Sequence, residues 1–263
     1  MPHRPRKRFG QNFLHDHAVI ARIIAAISPA REDHIVEIGP GRGALTNPLR
    51  ERGCHLDLIE LDRDLATSLA KSGAGAGLVT DTRFRVHQGD ALRFDYGSLV
   101  RETKLRIVGN LPYNISTPLL FHLLHYAHNF QDLHLMLQKE VAMRMAATHG
   151  KEYGRLSIML QLHYHVEILF KVPPTAFFPI PKVDSAFLRL TPRTDRQARV
   201  ECEATFARIV SRAFAQRRKT LRNSLSGLMT PAEIQRAGID PQQRPQTITI
   251  DDFVSLANAA SKV

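Results

Sequence analysis

Tryptophan is absent and cysteine nearly so, with only Cys54 and Cys202 among 263 residues. Two thiols are too few for a disulfide framework or a thiolate zinc site, which makes a reducing, cytoplasmic location the default expectation. No apolar run reaches the ~18 residues of a membrane span, so no membrane association is expected. The start, "MPHRPRKRFG", is basic without an apolar core behind it and does not read as a secretory signal. Acid is scarce as well: 25 Asp and Glu stand against 36 Lys and Arg, a net charge of +11.

What is there in excess is localised. Residues 1–9 hold Arg4, Arg6, Lys7 and Arg8 and no acid, and residues 193–222 hold nine basic groups against three acids. The rest of the chain is close to neutral. Two basic segments on an otherwise balanced protein are the footprint of a polyanion partner.

Hydrophobic spacing predicts an alternating order of helices and strands. A helix over 16–28 is followed by "HIVEIGPGRG", a buried strand running into a Gly-rich turn. A helix over 44–52, the strand "HLDLIELD", a helix over 63–71 and the strand "RFRVHQGD" come next. "LRIVGN" is a fourth strand, 116–127 a helix and "LHLMLQ" a fifth strand. Strands alternating with helices imply an α/β fold with a parallel sheet. "LSIMLQLHYHVEILFKV" and "SAFLRLTP" read as late strands added antiparallel at the sheet edge. Beyond about residue 195 the pattern is helical apart from the short "TITI", which predicts a domain over 1–193 and a small helical domain over 194–263.

Four consecutive strands deliver polar residues to one edge of that sheet. "EIGPGRGALT" places Gly39, Gly41 and Gly43 between strand and helix, where glycine lets backbone turn sharply and approach a ligand. The spacing is G-x-G-x-G and fits the dinucleotide fingerprint poorly. A ligand without phosphates, carrying adenosine and an amino-acid tail, fits at least as well. Glu60 ends the second strand, 19 residues past Gly41, suited to accept from both ribose hydroxyls. Asp90, after the third strand, suits an adenine amine. "GNLPYNIST" ends the fourth strand with Asn110, Leu111, Pro112 and Tyr113. An adenine amine is a poor nucleophile because its lone pair is delocalised into the ring. The Asn110 side-chain oxygen and the Leu111 carbonyl, held outward by Pro112, can accept its hydrogens and free that lone pair. Tyr113 can stack on a flipped-out base. A sulfonium methyl is the electrophile this arrangement expects, and no strong general base is required.

Taken in order, "GQNFL", "EIGPGRGALT", "ELD", "GDAL", "GNLPYNIST", "FFPIPKVDSA" and "FAQRRKTLRNSL" resemble the bacterial small-subunit (16S) ribosomal RNA adenine dimethyltransferases, the KsgA/RsmA family, over residues 7–225. The resemblance implies a class I S-adenosylmethionine-dependent methyltransferase domain, Rossmann-like, with a small all-helical C-terminal domain. It implies cofactor contacts from Asn12, Leu14, Gly39, Glu60, Asp90 and Asn110, with Gly41 in the same turn. It implies two adjacent adenines in the 3′-terminal hairpin loop of 16S rRNA as substrate, each receiving two methyls. The family pattern aligns Phe177 with the aromatic that covers the second face of the base, although Phe178 follows directly and either ring could serve. Phosphates would be gripped by the basic arm (Arg6, Lys7, Arg8) and by a basic helix carrying Arg217, Arg218, Lys219 and Arg222.

Other readings remain open at this stage. A large-subunit rRNA adenine methyltransferase shares the fold and the Asn-x-Pro-Tyr motif. A non-catalytic RNA-binding assembly factor would keep the fold without the chemistry. A nicotinamide-dependent oxidoreductase is disfavoured by the glycine spacing and the basic segments. His122 and His125 have no Asp or Glu beside them on their helix, and the histidines of "HYH" at 163–165 alternate onto one face of a strand with no visible third ligand, so no metal is expected. A monomer is expected, since no uninterrupted apolar surface helix stands out.

Overall fold

The computed structural model describes residues 10–73, 83–193, 195–196 and 199–261. Arg6, Lys7 and Arg8 therefore lie outside the described residues.

The chain runs through β1 (Phe13–Leu14), α1 (His17–Ile27), β2 (His34–Ile38), α2 (Thr46–Glu51), β3 (His55–Glu60), α3 (Arg63–Gly73), β4 (Phe84–Gln88), β5 (Leu105–Asn110) and α4 (Ser116–Leu124). It continues through β6 (Phe130–Gln138), α5 (Lys139–Ala146), α6 (Arg155–His163), β7 (Tyr164–Val172), β8 (Phe177–Phe178) and β9 (Ser185–Pro192). Four helices close it: α7 (Glu203–Ala215), α8 (Leu221–Ser224), α9 (Pro231–Arg236) and α10 (Ile250–Ser261).

Seven strands form one sheet in the order β4-β3-β2-β5-β6-β9-β7. The first five are parallel, and β9 runs antiparallel to β6. β2 lies between β3 and β5, so the sequence order of strands reverses there, which is where open α/β sheets place their ligand crevice. β2 and β5 read as apolar runs because both faces are covered: every residue of β2 is buried, as are the first five of β5. The expected parallel sheet and its antiparallel edge addition are both present.

Gly109 sets the spacing of the two central strands. It stands opposite Ile38 in register, and a Cβ there would lie 2.9 Å from both the Ile38 carbonyl oxygen and the Leu111 side chain. Gly109→Ala is expected to cost about 1–3 kcal/mol, the usual penalty of overpacking. Denaturant titration measures this, and stability equal to the parent's would mean that the strands shift freely at this point.

The chain divides into two compact units, Met1–Ala142 with Glu167–Thr191, and Met143–Val166 with Pro192–Val263. The expected boundary at 193/194 falls beside the second junction, but residues 143–166 group with the C-terminal unit, although the last three of them open β7. Their reason is visible in side chains: Tyr153, Ile158 and Leu162 join the core built by Phe206, Ile209, Phe253 and Leu256. Gln161 donates to the carbonyls of Met145 and Ala147, satisfying backbone at the end of α5. Residues 156–163, read as strand, thus belong to the helix α6. "TITI" is likewise no strand: Pro245–Thr247 form a 3-10 turn, and Thr249 bonds Asp252 to open α10. His163 ends α6 and is buried, whereas His165 is exposed, so the two do not share a strand face. His122 donates to the Phe94 carbonyl and packs against Tyr96 and Tyr126.

Candidate active site

A cavity of about 340 Å³ opens at the carboxyl ends of β2, β3, β4 and β5 in the first unit. Its floor and walls come from loops that the sheet itself fixes. Past each strand end, the next N–H still bonds the neighbouring strand: Gly39 to the Ile59 carbonyl, Gly89 to Glu60, and Leu111 to Met136. The turns that carry the polar residues are therefore extensions of the hydrogen-bond ladder, and little ordering remains to be done when a ligand arrives.

Gly39, Gly41, Glu60, Asp90, Asn110, Leu111, Pro112 and Tyr113 all line this cavity, as do Asn12 and Leu14. Gly39 and Gly41 adopt φ of +67° and +58°, which side chains with a Cβ rarely take. A Cβ at Gly41 would also sit 3.1 Å from the Phe13 ring. Glu60 is 6% exposed; one oxygen accepts from Gly41 N–H at 3.1 Å and the other from Asp62 N–H at 2.8 Å. Burial pushes its carboxyl above the ordinary range, and those two bonds oppose the push. Asp90 accepts from the Leu92 N–H, which turns the chain back after β4.

Asn110 has an unambiguous orientation. Its Nδ2 donates to the Asn12 carbonyl at 3.0 Å. A carbonyl can only accept, so the amide oxygen must be the other side-chain atom, turned away from Asn12. The Tyr113 hydroxyl shares a 2.7 Å hydrogen bond with Ser185 Oγ, and burial raises its pKa, keeping the phenol neutral. "NLPY" and "KVDS" thus meet through one bond between residues 72 positions apart.

Residues 10–14 stitch the site together. Gln11 donates to Asp62 at 3.3 Å beyond β3, Asn12 receives Asn110 from β5, and β1 pairs antiparallel with β8. In that ribbon Phe13 faces Phe178 and Leu14 faces Phe177. Register decides which phenylalanine is available. Phe177 is 0% exposed and belongs to the core with Leu14, Phe187 and Val172, while Phe178 is 55% exposed. Phe177, aligned with the base-covering aromatic, is therefore a core residue; its neighbour points the other way, as successive strand residues must.

Glu37 was missed in the sequence reading. It lies under the Gly-rich turn, lines the cavity, and accepts from Thr46 Oγ1 at 2.7 Å. Burial pushes its carboxyl up to about 7; Thr46 opposes this and Glu60 adds to it. The signal was a lone acid inside the apolar run "HIVEI". A cationic ligand would favour the charged form, so its binding should release a proton near neutrality and tighten as pH rises from 6 to 8. Glu37→Gln should flatten that dependence. Calorimetric titration of S-adenosylmethionine in two buffers of different ionisation heat reads the proton directly, and equal pH dependence in both proteins would clear Glu37 of the role.

The basic residues of the second unit divide in two. Arg217 is exposed, and its Nη2 donates to the carbonyls of Lys151 and Tyr153, which ties one end of the guanidinium to its own unit. Arg218, Lys219 and Arg222 are exposed. Arg217, Arg218 and Lys219 sit in the turn after α7 rather than on a helix, and Arg222 is the second residue of α8. Among the described residues no group of three His, Cys, Asp or Glu could hold a metal ion.

Comparison with known proteins places this geometry in a family. The chain is 53% identical over 255 residues to ribosomal RNA small subunit methyltransferase A of Thiobacillus denitrificans, covering 97% of each chain. The protein of the same name from Pseudomonas aeruginosa is 53% identical over 263 residues, 99% of this chain and 96% of that one. Among solved structures, a dimethyladenosine transferase from Plasmodium falciparum superposes with a TM-score of 0.79 at 25% identity, over 93% of this chain and 95% of that one. The 23S rRNA methyltransferase ErmE superposes with a TM-score of 0.71 at 25% identity, over 95% and 100%. The family model for ribosomal RNA adenine dimethylase matches residues 2–262, and the chain belongs to that family.

Proposed function

We propose that this protein transfers methyl groups from S-adenosylmethionine to the exocyclic amines of two adjacent adenines in the 3′-terminal hairpin loop of 16S rRNA, two methyls on each, during small-subunit biogenesis. The observation that carries the reading is the anchoring of Asn110 by the Asn12 carbonyl, which leaves an amide oxygen as acceptor beside Leu111 and Tyr113. The small-subunit assignment is favoured over the large-subunit one by identity of 53% to the former and 25% to ErmE.

The cavity suits a cationic, phosphate-free ligand: Glu37, Glu60 and Asp90 line it against the single guanidinium of Arg42. Gly39 and Gly41 would let the ligand lie against backbone, with Glu60 accepting from ribose, Asp90 from the adenine amine, and Asn12 and Leu14 closing over it. When bound, S-adenosylmethionine supplies a methyl on a sulfonium sulfur. The chain does the rest by placement. The Asn110 oxygen and the Leu111 carbonyl accept the hydrogens of the target amine, which localises its lone pair, and Pro112 holds that carbonyl. The Tyr113 ring takes one face of the base and Phe178 the other. The amine acidifies as it gains positive charge, so its proton can pass to solvent without a strong base. Arg218, Lys219, Arg222 and the basic arm take backbone phosphates. On this reading the protein acts as a monomer in the cytoplasm.

The test is methyl incorporation from labelled S-adenosylmethionine into small subunits that lack the modification, with the nucleoside identified by mass. Dimethyladenosine in the 3′-terminal hairpin is the expected product. Cofactor binding without incorporation would overturn the substrate, and absence of cofactor binding would favour an assembly factor.

A further inference from the structure

The second unit carries a basic groove that shares no residue with the methyl-transfer cavity. It measures about 550 Å³ and is lined by Arg208, Ser211, Arg212, Ala215, Ser226 and Gly227, with Leu228 at its end. The first four stand at i, i+3, i+4 and i+7 of α7 and form one stripe along the helix. Phe206, Ile209, Val210 and Ala213 of the same helix are buried in the core, which fixes that stripe at the surface. The facing wall is the turn after α8, where Gly227 adopts φ +83° and no atom comes within 4 Å of the place a Cβ would take.

Charge in this groove is not balanced nearby. Residues 204–232 contain no Asp or Glu, yet hold Arg208, Arg212, Arg217, Arg218, Lys219 and Arg222. Ion pairs in this unit join Arg193 to Asp195, Arg196 and Arg199 to Asp251, and Arg236 to Glu233. Among the described residues none reaches Arg208 or Arg212. Their side chains leave the helix one turn apart, about 6 Å along its axis, a step that suits consecutive phosphates of one strand. Guanidinium forks match phosphate oxygens, and small neighbours with hydroxyls let a backbone come close. An acidic protein segment would also want apolar anchors, and the lining offers only Ala215 and Leu228.

We propose that this groove holds two consecutive backbone phosphates of the small-subunit ribosomal RNA, through Arg208 and Arg212. The inference deepens the RNA substrate proposed above and rests on it. Contacts of this kind carry no sequence information; they set register and orientation, leaving base choice to the cavity.

The experiment is the salt dependence of binding by the full-length protein, to small subunits lacking the modification and to protein-free 16S rRNA. Each lost phosphate contact lowers the slope of log affinity against log salt by about 0.7–0.9. R208Q/R212Q should therefore lower it by about 1.5 on both targets, with thermal unfolding and S-adenosylmethionine affinity unchanged. R208K/R212K should restore most of the slope, which a purely structural role would not do. A slope equal to the parent's overturns the proposal. A loss seen on subunits but absent on protein-free rRNA also overturns it, and assigns the groove to a ribosomal protein. Methyl transfer is scored separately, so a parent protein that binds rRNA with the steeper slope yet modifies nothing refutes the reaction and supports the groove.

Discussion

Asn110→Ala is expected to lower the single-turnover rate of methyl transfer by about 10²- to 10³-fold, the range that follows loss of one preorganised polar group. The reason is geometric. The Asn110 amide is held by the Asn12 carbonyl, so its oxygen waits in place before substrate arrives. Alanine removes that acceptor and leaves the amine lone pair conjugated with the ring. Binding of rRNA should stay within a few fold of the parent, because phosphate contacts come from elsewhere in the chain. Rates are compared at saturating S-adenosylmethionine, which separates chemistry from cofactor affinity. Asn110→Asp should fail nearly as badly, since a carboxylate cannot donate to Asn12 and would be repelled from its carbonyl. Transfer at the parental rate in either variant would remove Asn110 from the mechanism.

The strand ends were legible in sequence because the central strands β2 and β5 are short apolar runs and β3 alternates, and each of the four strands ends on an acid or amide or passes straight into a glycine. β2, β3, β4 and β5 appear where the spacing put them, and their polar termini converge on one cavity. What hid from the sequence was whatever lacked a period. α6 is buried on nearly every face, from Leu156 through His163, so it has no polar stripe and reads as a strand; it also passes into β7 without a turn. The second unit's claim on residues 143–166 follows from the same helix, because its packing partners are more than forty positions away.

Phe177 and Phe178 show a different limit. Alternation along a strand demands that one ring face inward and the other outward, and the sequence carries that much. Which is which depends on pairing with Phe13 and Leu14, a two-residue strand 163 to 165 positions upstream. No local pattern can report so short and so distant a ladder. Glu37 was hidden for the opposite reason: an acid in an apolar run looks like noise until Thr46 and the cavity are seen beside it.

Arg106→Leu is expected to be the most destabilising single change, and to act far from the chemistry. Arg106 is the second residue of β5, at the amino end of the strand, away from the cavity. Its Nε and Nη2 donate to the two oxygens of Asp132 at 3.0 and 2.8 Å, and Nη1 to Asp33. Nη2 also takes the Ile27 carbonyl at 2.7 Å, so the guanidinium caps the end of α1. One side chain thus ties α1, β5, β6 and the entry to β2. Leucine keeps much of the volume but takes the guanidinium from two carboxylates, leaving Asp132 with His134 and Asp33 with the Ala30 N–H, and breaking a buried pair from one side costs about 3–5 kcal/mol. For a chain of this size that is a fall in Tm of about 10 °C. The pH dependence identifies the cause. Burial raises the pKa of Asp132, but His134 and Arg106 outweigh it and hold the carboxyl below its ordinary range. In the parent this stabilises above pH ~4 and is lost as pH falls further. Without Arg106 the burial effect has less to oppose it, the carboxyl rises, and charging it opposes folding. The difference in Tm between parent and variant should therefore be widest near pH 7 and narrow toward pH 4. A difference that stays constant across that range would mean that the loss is one of packing and not of charge.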